Sequence, residues 1–165
     1  MTLFADQLRE NYAKHLQEDN MSEFNSIITA IQDKESIKLR KQLDPLVVSL
    51  LKSKDLHVET EHKNAYDCGC DYASSCHGCH GAYDETTIIN LPYKYNKIKE
   101  SLINISKTSR SYSINGKLNQ TIVGWLSRDG ISAQEKNHPS YDCGCDYMSS
   151  CHGCRSAYTE TILSW

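Results

Sequence analysis

"YDCGCDYASSCHGCHGAYDETTI" occupies residues 66–88, and "YDCGCDYMSSCHGCRSAYTETIL" occupies residues 141–163. Aligned at an offset of 75 positions, 17 of these 23 pairs are identical. The same offset carries upstream without a gap. Leu43 falls on Leu118, Val47 on Ile122, Val48 on Val123, Leu50 on Trp125 and Leu51 on Leu126. Ser26, Ile27 and Ile28 fall on Ser101, Leu102 and Ile103. A fixed period with this much self-similarity is the mark of an internal duplication.

Periodicity supplies the elements. Leu8, Tyr12 and Leu16 recur every fourth residue and predict a first helix over residues 2–19. "DN" followed by Ser22 predicts a break there, with Ser22 as the cap of a second helix carrying Phe24, Ile27, Ile28 and Ile31. Leu39, Leu43, Leu46, Val47, Leu50 and Leu51 predict a third helix, with Asp44-Pro45 offered as its cap and first position. In the second half, Ile98, Leu102 and Ile105 predict one helix. Leu118, Ile122, Trp125 and Leu126 predict another, stopped by Asp129-Gly130. The alternating stretches 56–62 and 131–136 predict strands, as do 83–91 and 158–165 after the cysteine blocks.

The expected fold is therefore α+β. An N-terminal helix (1–20) precedes two tandem repeats of about 75 residues, 21–96 and 97–165. Each repeat is expected to hold two helices and a β-hairpin whose tip is a four-cysteine loop. Two helices followed by a hairpin is the order of a winged helix-turn-helix, which is an analogy of order alone.

All 8 cysteines lie in the two blocks. Each block reads C-x-C-x5-C-x2-C: Cys68, Cys70, Cys76 and Cys79 in one, Cys143, Cys145, Cys151 and Cys154 in the other. Four thiolates within twelve residues can close around one tetrahedral ion, and zinc accepts four sulfurs at about 2.3 Å. Gly69, Gly78, Gly144 and Gly153 suit the tight turns between ligands, and Ser74, Ser75, Ser149 and Ser150 could bond the sulfurs. Structural zinc contributes about 10–16 kcal/mol of apparent binding energy. That would staple a repeat too small to build a large core. The expectation is two zinc ions per chain. An iron–sulfur cluster uses the same thiolates, and an even cysteine count also admits disulfides. The run Cys76–His80 matches the c-type haem pattern, but Arg155 replaces the histidine in the second block. His77 and His152 are expected beside a metal whose shell the cysteines already fill.

Four cysteines leave no open coordination position, and no nucleotide-binding loop or nucleophile-elbow motif occurs. Asp67, Asp71, Asp142 and Asp146 are expected as solvated turn residues. The expected role is non-enzymatic: a structural or adaptor component docking on other proteins or on its own copies. Tyr66, Tyr72 and Tyr83 match Tyr141, Tyr147 and Tyr158, either as packing over the metal loop or as an interface, and Trp165 is expected to dock against a neighbour or to close the second repeat's hairpin. The richness in Ile, Lys, Asn and Tyr suggests an AT-rich genome and a viral or phage accessory or particle protein.

Two alternatives stand beside this. The basic residues Lys34, Lys38, Arg40, Lys41, Lys52 and Lys54, and Lys97, Lys99, Lys107, Arg110, Lys117 and Arg128, would give basic helices within 34–54 and 97–128 able to track phosphates. A thiol or iron–sulfur redox role is the other. The net charge of −3 gives no global pull toward nucleic acid. No run of about 18 apolar residues predicts a membrane span, and the N-terminus lacks a signal-peptide pattern. A soluble intracellular protein, or a part of a viral particle, is expected.

Overall fold

The structure is a computed structural model that describes residues 4–66, 80–141 and 155–165, with side chains from residue 7 onward. It is a mixed α+β protein. The described residues form four helices and two small three-stranded antiparallel sheets. The chain divides into two compact units, Met1–Lys94 and Tyr95–Trp165.

The first unit holds α1 (Phe4–Ile31), β1 (Ser36–Leu39), α2 (Pro45–Lys52), β2 (Leu56–Lys63) and β3 (Tyr83–Asn90). Its last strand lies in the middle, in the order β1-β3-β2. Helix α2 starts where its sequence directs. The Asp44 carboxylate accepts the Leu46 N–H at 2.8 Å, and Pro45 takes the first helical turn, where its missing N–H costs nothing. Phe24, Ile27 and Ile31 of α1 meet Leu43, Val47 and Leu51, and the sheet adds Leu56 and Ile88. These residues are the buried core of the unit.

The second unit opens within α3 (Leu91–Ile105) and continues through β4 (Ser111–Asn115), α4 (Gln120–Arg128), β5 (Ser132–His138) and β6 (Tyr158–Ser164), in the sheet order β4-β6-β5. Asn119 caps α4 by accepting the Thr121 N–H at 2.9 Å. Ile98, Leu102, Leu118, Ile122, Leu126 and Leu163 are buried. Buried threonines sit in both sheets. Thr86 donates its hydroxyl to the Lys41 carbonyl at 2.7 Å, and Thr161 donates to the Gly116 carbonyl at 2.8 Å.

Three expectations change. Residues 4–31 form one helix, with no break at Asn20–Ser22. Asn20 is buried, and the packing of Phe24, Ile27 and Ile31 overrides a capping preference worth only about 1 kcal/mol. Leu39 belongs to β1 rather than to the helix that follows. Each sheet also has a third strand, β1 or β4, beside the expected hairpin. Those strands are 4 and 5 residues long, too short for their alternation to stand out.

Candidate metal loops and the ladders that close them

The eight cysteines lie in 67–79 and 142–154, outside the described residues. So do His77, His152, Asp67, Asp71, Asp142, Asp146, Tyr72 and Tyr147, and the glycines and serines between the cysteines. The residues on either side are described, and they fix how each segment begins and ends.

Strands β2 and β3 pair in continuous register from Leu56↔Asn90 to Lys63↔Tyr83. Beyond them Tyr66 and His80 form one more antiparallel bridge, exchanging N–H···O bonds of 2.9 and 3.0 Å. A hydrogen-bonded antiparallel pair holds its Cα atoms about 5.5 Å apart. In the second unit β5 and β6 pair from Ser132↔Ser164 to His138↔Tyr158, and Tyr141 and Arg155 exchange bonds of 2.9 and 3.0 Å. Both cysteine segments therefore leave and re-enter through a closed two-residue ladder. The closure lowers the entropy that four ligands would otherwise lose on gathering.

Aromatic rings gather at each ladder. His80 lies 5.5 Å from Tyr83, edge-on, and 6.2 Å from Tyr66. The Arg40 guanidinium stands 5.1 Å over the Tyr83 ring. In the second unit His138 stacks on Tyr158 at 4.4 Å with the rings 7° from parallel, and its Nε2 meets Glu160 Oε1 at 2.8 Å. That bond is the main reason the Glu160 carboxyl is held below its ordinary range. Tyr66 and Tyr141 are exposed to almost the same degree, 57% and 58%. Trp165 is 40% exposed and donates its N–H to the Arg110 carbonyl at 3.4 Å.

The basic residues within 34–54 and 97–128 lie only in part on helices: Lys52 on α2, Lys97 and Lys99 on α3, and Arg128 on α4. Lys38 pairs with Glu85, Lys41 with Glu23, Lys97 with Glu100, Lys99 with Asp129 and Lys117 with Glu135. Lys38 is the main cause of a lowered Glu85 carboxyl. Asp129 is lowered first by the Tyr95 hydroxyl and then by Lys99.

Among the described residues no group of three or more His, Cys, Asp or Glu side chains is arranged to hold a metal ion. None of their helices is long and apolar enough to cross a membrane. Sequence reasoning passed over Arg40 as a ring partner and passed over His138 and Glu160 altogether. The signal for His138 was its offset of 75 from Lys63, which shares its place opposite a tyrosine. No protein-family model, no curated protein and no solved structure matches the chain.

Proposed function

We propose that this is a non-enzymatic, zinc-binding protein of two tandem repeats, a structural or adaptor component of a protein assembly. The observation that carries the proposal is the pair of ladders, Tyr66–His80 and Tyr141–Arg155, closing two four-cysteine segments at the same offset of 75. Cys68, Cys70, Cys76 and Cys79 would hold one ion, and Cys143, Cys145, Cys151 and Cys154 the other. Filled by four thiolates, each ion has no position for a substrate and acts as a staple. The exposed tyrosines beside each ladder are the kind of side chain that protein interfaces use, an apolar ring with a polar tip. An accessory or particle protein of a virus or phage fits this role.

The competing nucleic-acid reading draws on the winged-helix-like order, which each unit keeps with one added strand. The paired lysines weigh against it, because a cation held by a carboxylate releases fewer phosphate counterions.

The test is metal content, visible absorption and a free-thiol count on one purified, untagged sample. Two zinc per chain without colour is the expected result. Iron with a visible band moves the protein to redox chemistry, and no metal with no free thiols moves it to disulfides. Flow-through on heparin at low salt is expected; retention that falls steeply with salt would favour nucleic acid.

A further inference from the structure

The two units place a tyrosine at the same point of the same strand, Tyr83 in β3 and Tyr158 in β6. In both it pairs with the last residue of the hairpin partner before the cysteine segment. The group on the ring differs. Over Tyr83 it is the Arg40 guanidinium, charged at every physiological pH. Over Tyr158 it is the His138 imidazole, a side chain type that changes charge between about pH 5 and 8.

We infer that His138 is a pH-responsive clasp on the base of the second cysteine segment, tightened by acid. Three contacts converge on the imidazole. Its ring lies flat on Tyr158, so protonation places a cation on a π face. Its Nε2 meets Glu160 Oε1 at 2.8 Å, so protonation turns a hydrogen bond into a charge-assisted one. The His138 and Glu160 side chains are only 19% and 18% exposed, so water screens the pair less than it screens an open surface pair.

The remaining charged and titratable groups facing the pair are few. On β5 itself Lys136 lies 3.9 Å from the same Glu160 oxygen. On β6 there are Glu160 and Tyr158. From β4 the Ser113 hydroxyl bonds Glu160, and Tyr112 is that strand's one titratable residue. Lys136 stays charged throughout the range and cannot produce the response.

The sign follows from the two partners. Glu160, held low, keeps its charge down to below the ordinary carboxylate range, and its contribution is lost only as the pH falls through that lower value. A histidine cation is lost as the pH rises, so the clasp is tighter on the acid side than on the alkaline side. Metal loss, by contrast, would loosen the segment as acid protonates the thiolates. The two effects have opposite signs, and the clasp does not depend on the zinc proposal.

The experiment is amide hydrogen exchange on the full-length protein at pH 5.5 and 8, corrected for intrinsic exchange, read in peptides covering 132–141 and 155–165. Protection there is expected to fall by about three- to tenfold on going to pH 8. His138→Gln should remove the difference. His138→Lys, which copies Lys63, should give the higher protection at both pH values. The same pH response in wild type and His138→Gln, or no response in wild type, overturns the inference.

Discussion

At the scale of single residues, the offset of 75 becomes an internal control. Asp55 and Gly130 follow α2 and α4 at matching places, and both are left-handed, with φ of 57° and 80°. A Cβ added at Gly130 would meet nothing within 4 Å, so only its backbone conformation resists a side chain. Gly130→Ala should therefore cost about 1–2 kcal/mol. Asp55→Gly should change stability by less than about 0.5 kcal/mol, because relief of the strained conformation is offset by the freer unfolded chain. Chemical denaturation of both variants checks the contrast. Asn20 and Tyr95 also match. Tyr95 meets Trp125 edge-on at 5.3 Å and bonds Asp129, whereas the buried Asn20 amide nitrogen finds no partner among the described residues. Asn20→Leu should raise stability by about 1–2 kcal/mol, since it removes an unsatisfied polar group from the interior. A lower melting temperature would show that the amide is satisfied after all. The pairing of Tyr95 and the state of Asn20 were not legible beforehand. Apolar periodicity reports which face is buried but not whether a buried polar group is paired.

Elements were legible where the pattern was long or punctuated. Asp44-Pro45 and Asp129-Gly130 marked helix ends that the structure keeps. Strands β2, β3, β5 and β6 fall where alternation placed them. The failures have one physical source: local preferences worth about 1 kcal/mol yield to packing. Asn20 and Ser22 look like a helix boundary, yet α1 runs through them. Leu8, Tyr12 and Leu16 continue the four-residue row that runs through Asn20 to the buried Phe24, yet every side chain from residue 7 to 19 is exposed. Deleting residues 1–17 should therefore lower helical ellipticity while changing unfolding free energy by less than about 0.5 kcal/mol. A large loss of stability would mean that this half of α1 is covered in solution. Between α3 and α4 the prediction concerns pH. The Asp129 carboxylate, lowered first by Tyr95 and then by Lys99, ties the two helices together. Its folded value lies below its unfolded one, so its contribution is present above the ordinary carboxylate range and lost as pH falls through the lowered value. The melting-temperature gap between wild type and Asp129→Asn should be widest near neutral pH and should close toward pH 2.

At the scale of the whole molecule, the mixed α+β class was legible in the sequence, because helical and alternating periods both recur along it. Pairs such as Val47 and Ile122, or Leu51 and Leu126, are fully buried at equivalent places. What the cysteines do was legible only as chemistry, since spacing names a ligand set without fixing which of zinc, iron or disulfide fills it. Substitution separates these outcomes, because each four-cysteine segment sits on its own ladder and each unit has its own buried residues. If the proposed zinc sites are independent, Cys76→Ser removes one ligand from the first and leaves the second whole. Bound zinc should fall from two per chain to one, with increased hydrogen exchange confined to peptides flanking Tyr66–His80. Cys151→Ser should give the same stoichiometry, with the change confined to Tyr141–Arg155. The double variant should carry none. A disulfide framework predicts something else: each single variant leaves one unpaired thiol and no change in metal. A cluster shared between the segments predicts that either single variant empties both. Only loss of one ion at a time, each with its own local footprint, is the signature of two separate zinc staples, and unchanged metal content in both variants would overturn the zinc sites.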